Sequence, residues 1–421
     1  MKVISAAILI VGIVVIIKSK NQHNEAILWS AYVVGAEVFF RMSKGLYFYE
    51  LPKYSVLLFL IIGLVIEKKN HHISVSYLFY ILLLLIGISF VNLPYEESVR
   101  TAIAFNLSGP VLLGVSAIYF YKRKIPISTM LSILFFMALP IISMVSLLYF
   151  KTPSISDIEF GGVSNRTASG GYGPNQVATI LGVGAFIFMV YLVFKRRIFS
   201  WMIVDVLIMG YLIFRGLVTF SRGGMITALI AGLAFLFFYF MSQENKIQNF
   251  LKFTGLALVF GIIMFISATN ATDGMLVNRY TNKNALGVEK QDATAGRLTI
   301  IGSEFKSFLE NPFFGIGIGG GKFYRMDEIN VEVASHNELS RLLGEHGMLG
   351  LIALLILISI PIKHILGQPY LARAFLSAFF VFWFLTINHS AMRVAFPAFI
   401  YGLSLVIITN DEEEEDSVHR Y

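Results

Sequence analysis

Apolar residues fill this chain in long blocks, with short polar breaks between them. MKVISAAILIVGIVVIIK opens the sequence, and LGLIALLILISIPI is typical of its C-terminal part. Thirteen such blocks can be drawn, near 3–17, 26–40, 54–66, 77–91, 102–121, 128–150, 175–194, 200–220, 223–241, 252–268, 347–366, 371–387 and 393–409. Runs of about 15–22 apolar residues match the length a helix needs to cross a bilayer. Helix is the expected form because a backbone in lipid must satisfy its own hydrogen bonds. The pattern therefore predicts an all-α polytopic membrane protein with 12–13 transmembrane helices. The count is twelve if one of the two short N-terminal blocks lies at the interface. The first block is followed by no small-residue cleavage site, so it is expected to stay as a helix.

One interruption differs from the rest. Residues 269–346 form a long polar insertion, which divides the chain into an N-terminal transmembrane body (1–268), an extramembrane loop (269–346), closing transmembrane helices (347–410) and an acidic tail (411–421). Long loops in compact proteins are usually functional or disordered. This one carries helical patterning: between Ala295 and Leu309, Leu298, Ile301, Phe305 and Phe308 recur every three or four residues and make one apolar face. NPFFGIGIGGG at 311–321 ends that helix, since Asn-Pro and repeated Gly are strong breakers. A second loop helix is expected from about His336, with Ser335 as N-cap and Glu338 three residues on, the capping-box spacing.

Composition sharpens this reading. The chain is 56% hydrophobic and 14% charged, with a mean hydropathy of +0.73. Ordinary soluble domains carry about a quarter charged residues, so this chain suits lipid. It has no cysteine, which excludes disulfides, thiolate nucleophiles and thiolate metal sites. The net charge of +7 suits basic inner loops, and nothing in it points to nucleic acid. Lys68-Lys69, Lys122-Arg123-Lys124 and Lys195-Arg196-Arg197 fall on one side, which the positive-inside rule makes cytoplasmic. The acidic run DEEEED at 411–416 also falls inside and is expected to be a solvated tail. The 151–174 loop, a tight turn at 217–223 and the long insertion then share the opposite face.

Candidate chemistry concentrates on that face. SHNELSRLLGEH at 335–346 holds two His, two Glu and an Arg, and admits three readings: metal site, acid/base site, or solvated cap on a membrane span. No His/Glu pair stacks at i, i+4 as a zinc-binding helix requires. His336 and His346 are ten residues apart, nearly three turns on one straight helix. Glu345-His346 then reads as the polar lip of the next span. GIGIGGG lacks the βαβ context of a dinucleotide site, and there is no P-loop. Neither metal nor cofactor is expected. Arg215 sits inside an apolar block, where charge is costly and faces a cavity or a partner; pairing to a neighbouring helix serves equally. Ser221-Arg222-Gly223-Gly224 reads as a turn ahead of a helix over 225–241. Glycine permits close backbone approach, a helix N-terminus favours anions, and Arg binds phosphate bidentately, so the turn is either a diphosphate cradle or simply a tight connection. Arg297 and His336 each begin a loop helix and, taken singly, read as surface residues. All of these map to one membrane face.

SRGG after a membrane helix, GRLTIIGSEFKSFLENPFFGIGIGGG, and then SHNELSRLLGEHGMLG together resemble the O-antigen ligase and polymerase superfamily over about 205–360; GGYGPNQVATILG at 170–182 fits less specifically. The resemblance implies a GT-C-like glycosyltransferase of the bacterial inner membrane, multi-pass, with its active site facing the periplasm and no metal or other cofactor. It implies an undecaprenyl-diphosphate-linked glycan as donor, with the lipid A core or another lipid-linked glycan as acceptor; protein hydroxyls are the acceptors of some relatives. By motif, Arg222, Arg297 and His336 match the family's functional arginines and histidine, with Ser221 and Gly223 completing the cradle. Arg215 is a further substrate-binding candidate without a motif counterpart. His336 would take the acceptor proton, and direct attack would invert the anomeric carbon. Two other classes compete: a transporter or flippase of lipid-linked glycans, which would place charges through the membrane midplane, and a non-catalytic scaffold.

Overall fold

A computed structural model of the chain describes residues 1–67, 72–94, 97–290, 292, 294 and 296–410. Lys68-Lys69, Ala295 and the acidic tail lie outside the described residues. The regular structure is mostly helical, in the order α1 Lys2–Ser19, α2 Glu25–Met42, α3 Leu51–Ile66, α4 Val75–Ile86, α5 Val99–Phe120, α6 Ile127–Lys151, α7 Pro174–Val193, α8 Met202–Val218, α9 Arg222–Met241, α10 Lys246–Ala271, α11 Met275–Tyr280, α12 Arg297–Glu310, α13 Gly321–Ile329, α14 Glu338–Leu366, α15 Tyr370–His389 and α16 Phe396–Leu403. Two short strands, β1 Lys124–Pro126 and β2 Ile407–Thr409, pair in parallel.

Among the described residues, eight helices are long and apolar enough to cross a membrane: α1, α5, α6, α7, α9, α10, α14 and α15. Residues 51–66 and 75–90 are shorter apolar helices, and α2 carries Glu25, Glu37 and Arg41. The expected span at 393–409 is corrected. Only its eight residues Phe396–Leu403 are helical, reaching about 12 Å at ~1.5 Å per residue, against a hydrocarbon core of ~30 Å. All eight are buried in protein, and the chain then leaves the helix to pair β2 with β1. The segment is apolar because it fills the protein core, which hydropathy alone does not distinguish from contact with lipid. The opposite case is α10, whose 26 residues include one buried position, Ala268. It leans against α8 and α9 on the outside of the body.

The long insertion was expected to hold two helices. It contains α11, α12 and α13 and ends in the first turns of α14. The cap of α14 is also corrected. Asn337 is the N-cap, its Oδ1 accepting from the N–H groups of Leu339 and Ser340, and Ser335 instead exchanges hydrogen bonds with Asn337. Gly347, at φ 59° and ψ −135°, breaks α14 between its loop part and its apolar part. A side chain there would collide with the 312–315 turn, since a Cβ would fall 2.5 Å from the Pro312 carbonyl oxygen.

Ion pairs and hydrogen bonds tie α12 to α13 and to the first turns of α14 within the loop. Glu304 of α12 meets Arg325 of α13 at 2.8 Å, both almost fully buried, and its other oxygen accepts from Ser340 Oγ at 2.6 Å. Arg341 is held between Glu338 and Glu345. Breaking a buried pair by removing one partner costs about 3–5 kcal/mol because the remaining charge is stranded. Glu304→Ala is therefore expected to lower the thermal midpoint of the purified protein sharply, and adding Arg325→Met should recover most of the loss. An unchanged midpoint in the single variant would show that this pair does not hold the loop.

Candidate active site

The short connection between α8 and α9 is where the loop elements meet the membrane body. Phe220 takes a left-handed φ of 58°, is fully buried, and stacks on Phe160 at 4.6 Å. Ser221 is the N-cap residue of α9, with its Oγ donating to Asn175 Oδ1 at 2.8 Å. Arg222 and Gly223 are already the first helical residues, so the expected turn at 217–223 is shorter and the helix longer than the pattern suggested. Gly223 is needed for room rather than for turning. A Cβ there would fall 2.6 Å from Cγ of His389, and one at Gly224 would fall 2.5 Å from the Thr179 nitrogen. These close approaches seat the N-terminus of α9 against α7 and the end of α15.

Three further cations gather beside Arg222. Arg279 of α11 donates from Nε to the Phe220 carbonyl at 2.9 Å and reaches the Gly162 carbonyl, as does Lys290. Arg297 is the first residue of α12, after Gly296 at φ 78°. Among the described residues neither Arg279 nor Arg297 forms an ion pair. Burial, then the Arg222 and Arg297 charges, pull Arg279 down to about 10. Arg297 is lowered by burial and by Arg222, and Lys290 by burial, Arg279 and Arg222. Burial and neighbouring cations both disfavour the charged forms here, and an anion placed among these groups would offset both effects.

His336 lies at the edge of this cluster, half-buried, in the strap just before α14. Burial, then Arg393 and Arg297, push its pKa down to about 4, against a hydrogen bond to the Ala334 backbone that raises it. The strap is tied to the end of α15. The Ala391 N–H donates to the His336 carbonyl at 3.0 Å, and Asn337 Nδ2 donates to Asn388 Oδ1 at 3.0 Å. On the α15 side, His389 has Nδ1 2.8 Å from the Leu385 carbonyl and Nε2 3.2 Å from Thr179 Oγ1. Its carbonyl accepts from Asn175 Nδ2, the residue that also binds Ser221.

The structure thus brings Ser221, Arg222, Gly223, Arg297 and His336 to one region. Arg215 stands apart: it is 3% exposed and donates to Thr152 Oγ1 and the Ala168 carbonyl, both at 3.1 Å, so it anchors the 152–168 loop to α8. Glu345 and His346 are not a polar lip; they are 4% and 1% exposed, because the first turns of α14 are packed inside the protein. Glu338 does not cap; it pairs with Arg341. No group of three or more His, Asp or Glu among the described residues could hold a metal ion. Sequence reasoning missed Arg279, Lys290, His389 and Arg393. The one available signal was His389, a titratable residue closing an apolar block, where such residues often mark a site; Arg279 and Lys290 had no pattern to set them apart from other loop cations.

Comparison with known families bears on this region. Residues 206–355 match the family model described as O-Antigen ligase, a stretch that runs from α8 through the loop into α14. No curated protein matches the chain. The matched domain supports membrane-bound glycosyl transfer of the O-antigen ligase/polymerase type.

Proposed function

We propose that this chain, a member of the O-antigen ligase/polymerase superfamily through residues 206–355, transfers a glycan from an undecaprenyl-diphosphate carrier to a sugar hydroxyl at the periplasmic face of the bacterial inner membrane. The acceptor is the lipid A core or a second lipid-linked glycan. The observation that carries the reading is the convergence of Arg222, Arg279, Arg297 and Lys290, with His336 within reach of the Arg297 charge. Orientation follows from the Lys122–Lys124 and Lys195–Arg197 clusters, which lie at the ends of helices opposite to the loop. In this reading 269–346 is the catalytic loop, 1–268 and 347–410 are the membrane body, and the exposed apolar flank by α9 and α10 takes the polyprenyl tail.

The chemistry needs a leaving-group clamp and a base. The diphosphate enters the cluster and is held by guanidinium forks. As the bond from the anomeric carbon to the diphosphate oxygen breaks, the electron pair leaves with the diphosphate, and cations already in place stabilise the growing charge. The acceptor oxygen bonds to the opposite face of that carbon while its proton passes to the His336 ring, so configuration inverts. The imidazolium then returns its proton to water. No step is routed through a metal.

The pKa of His336 gives this reading a signature in pH. A group whose pKa lies near 4 is neutral, and able to act as a base, at every pH above that value. It loses that ability as pH falls through about 4. A bound diphosphate places negative charge beside His336 and offsets Arg297, which raises the pKa in the complex. Because kcat/KM reports the free enzyme and kcat the complex, the acid limb of kcat should lie at higher pH than that of kcat/KM. The test is transfer by the purified full-length protein from lipid-linked glycan, measured from pH 4 to 8 with and without chelator. Separated limbs and chelator-independent rates are expected. Coincident limbs would remove His336 as the base. Absence of any transfer from lipid-diphosphate donors, or a rate restored only by divalent metal, would overturn the function itself.

A further inference from the structure

Against Ala334 and Ser335 of the strap lies a cavity of about 290 Å³ that none of the residues so far given a catalytic part line. Its wall comes from the start of α5, the start of α13, the strap, the first turns of α14 and residues 391–393. The two compartments share a partition: the Ala391–His336 backbone hydrogen bond and Arg393, which donates to the Ser335 carbonyl at 3.0 Å. His336 therefore stands beside the cation cluster and next in sequence to two residues that line the cavity.

The two compartments differ in charge. In the first, neither Arg279 nor Arg297 forms an ion pair among the described residues. In the cavity Lys322 pairs with Glu97 at 2.8 Å, Arg325 with Glu304 at 2.8 Å, and Arg341 with Glu345 at 2.9 Å. Asn106 accepts from Arg341 at 3.3 Å through its side chain and at 3.0 Å through its carbonyl. Such a lining has little net field to draw in a second diphosphate. It does hold several polar groups fixed in place by these pairs, and a small number of placed polar groups is what orients a ligand in a pocket. An aromatic surface accompanies them: Phe105, 38% exposed at the mouth, lies 5.9 Å under the Arg393 guanidinium. The volume lies just below the roughly 300–1,000 Å³ of small-molecule sites. It fits the end of a glycan, not an extended chain.

We infer that this cavity is the acceptor subsite, holding the non-reducing terminal sugar of an uncharged or weakly charged glycan with its hydroxyl turned toward the strap that carries His336. The inference rests on the proposed transfer reaction and assigns the second substrate of that reaction a place. It also gives the strap a purpose: its tie to 388–391 sets the distance between the two substrates.

The experiment uses the full chain in nanodiscs and two probes. One is the pool of oligosaccharides released from the source cells' envelope, fluorescently labelled at the reducing end. The other is a short-chain polyprenyl diphosphate. Thr101 and Phe105 sit at the exposed mouth of the cavity, so Thr101→Trp and Phe105→Ala change it without opening the core. Each should weaken binding of the glycan pool about tenfold or more, and raise the acceptor KM equally, while polyprenyl diphosphate binding stays within twofold of wild type. Unchanged glycan binding in both variants, or weakened diphosphate binding in place of glycan binding, overturns the assignment, as does failure of the wild type to bind the pool at all. Failure of the reaction is separately visible: wild type that binds the glycan pool, with loss in both variants, yet transfers nothing, keeps the cavity as a glycan site and removes the proposed function.

Discussion

Replacing His336 by alanine is expected to cut glycan transfer by about 10²–10⁴-fold, the range that a positioned general base contributes. Fold and donor binding should survive, because the side chain is half-buried and the tie that matters to the strap uses its carbonyl, which the Ala391 N–H reaches at 3.0 Å. The assay is single-turnover transfer from a purified lipid-linked glycan at pH 7, with polyprenyl diphosphate binding as the control for folding. Full activity in His336→Ala would end its assignment as base. His389 is the group to examine next, since its ring sits against the N-terminus of α9. A loss of both transfer and donor binding would instead point to a collapsed strap.

Arg297→Ala should separate stability from activity. Its guanidinium forms no ion pair among the described residues, and burial and Arg222 both weigh against its charge. Without substrate it contributes repulsion, so its removal is expected to leave the thermal midpoint unchanged or slightly raised. Transfer should fall about 10²–10³-fold, the usual cost of losing one group aimed at developing negative charge. Active sites commonly trade stability for function in this way. A variant that transfers normally would show that Arg222 and Arg279 suffice for the leaving group. One that loses both stability and activity would mean that Arg297 is structural. Arg279→Ala is a poorer probe, because its bonds to the Phe220 and Gly162 carbonyls brace the turn.

The sequence carried the α-helical membrane class clearly, because apolar block length is a direct consequence of bilayer thickness. It misled at 393–409, where α16 is apolar to fill the protein interior, all eight of its residues being buried. The same blindness acted in reverse on Glu345 and His346, whose polarity suggested a wet lip although both are packed inside. Composition reports what a residue prefers, and burial depends on neighbours that are distant in sequence. Capping shows the point locally. Ser335 and Glu338 had the spacing of a capping box, but Asn337 sits where its side-chain oxygen reaches two free N–H groups, and Glu338 is drawn to Arg341.

By itself the sequence determined the helical membrane body and the long loop that interrupts it, because local spacing and hydropathy depend on residues within a few turns. The candidates Ser221, Arg222, Gly223, Arg297 and His336 came from the resemblance of their motifs to a family. Only the tertiary structure decided that Arg279 and Lys290 join Arg222 and Arg297, that Arg215 serves the 152–168 loop, and that His336 is held near Arg393 with a pKa of about 4. Those facts depend on charges brought together from α9, α11, α12 and the end of α15. Electrostatic coupling follows distance through space, and no reading along the chain measures it.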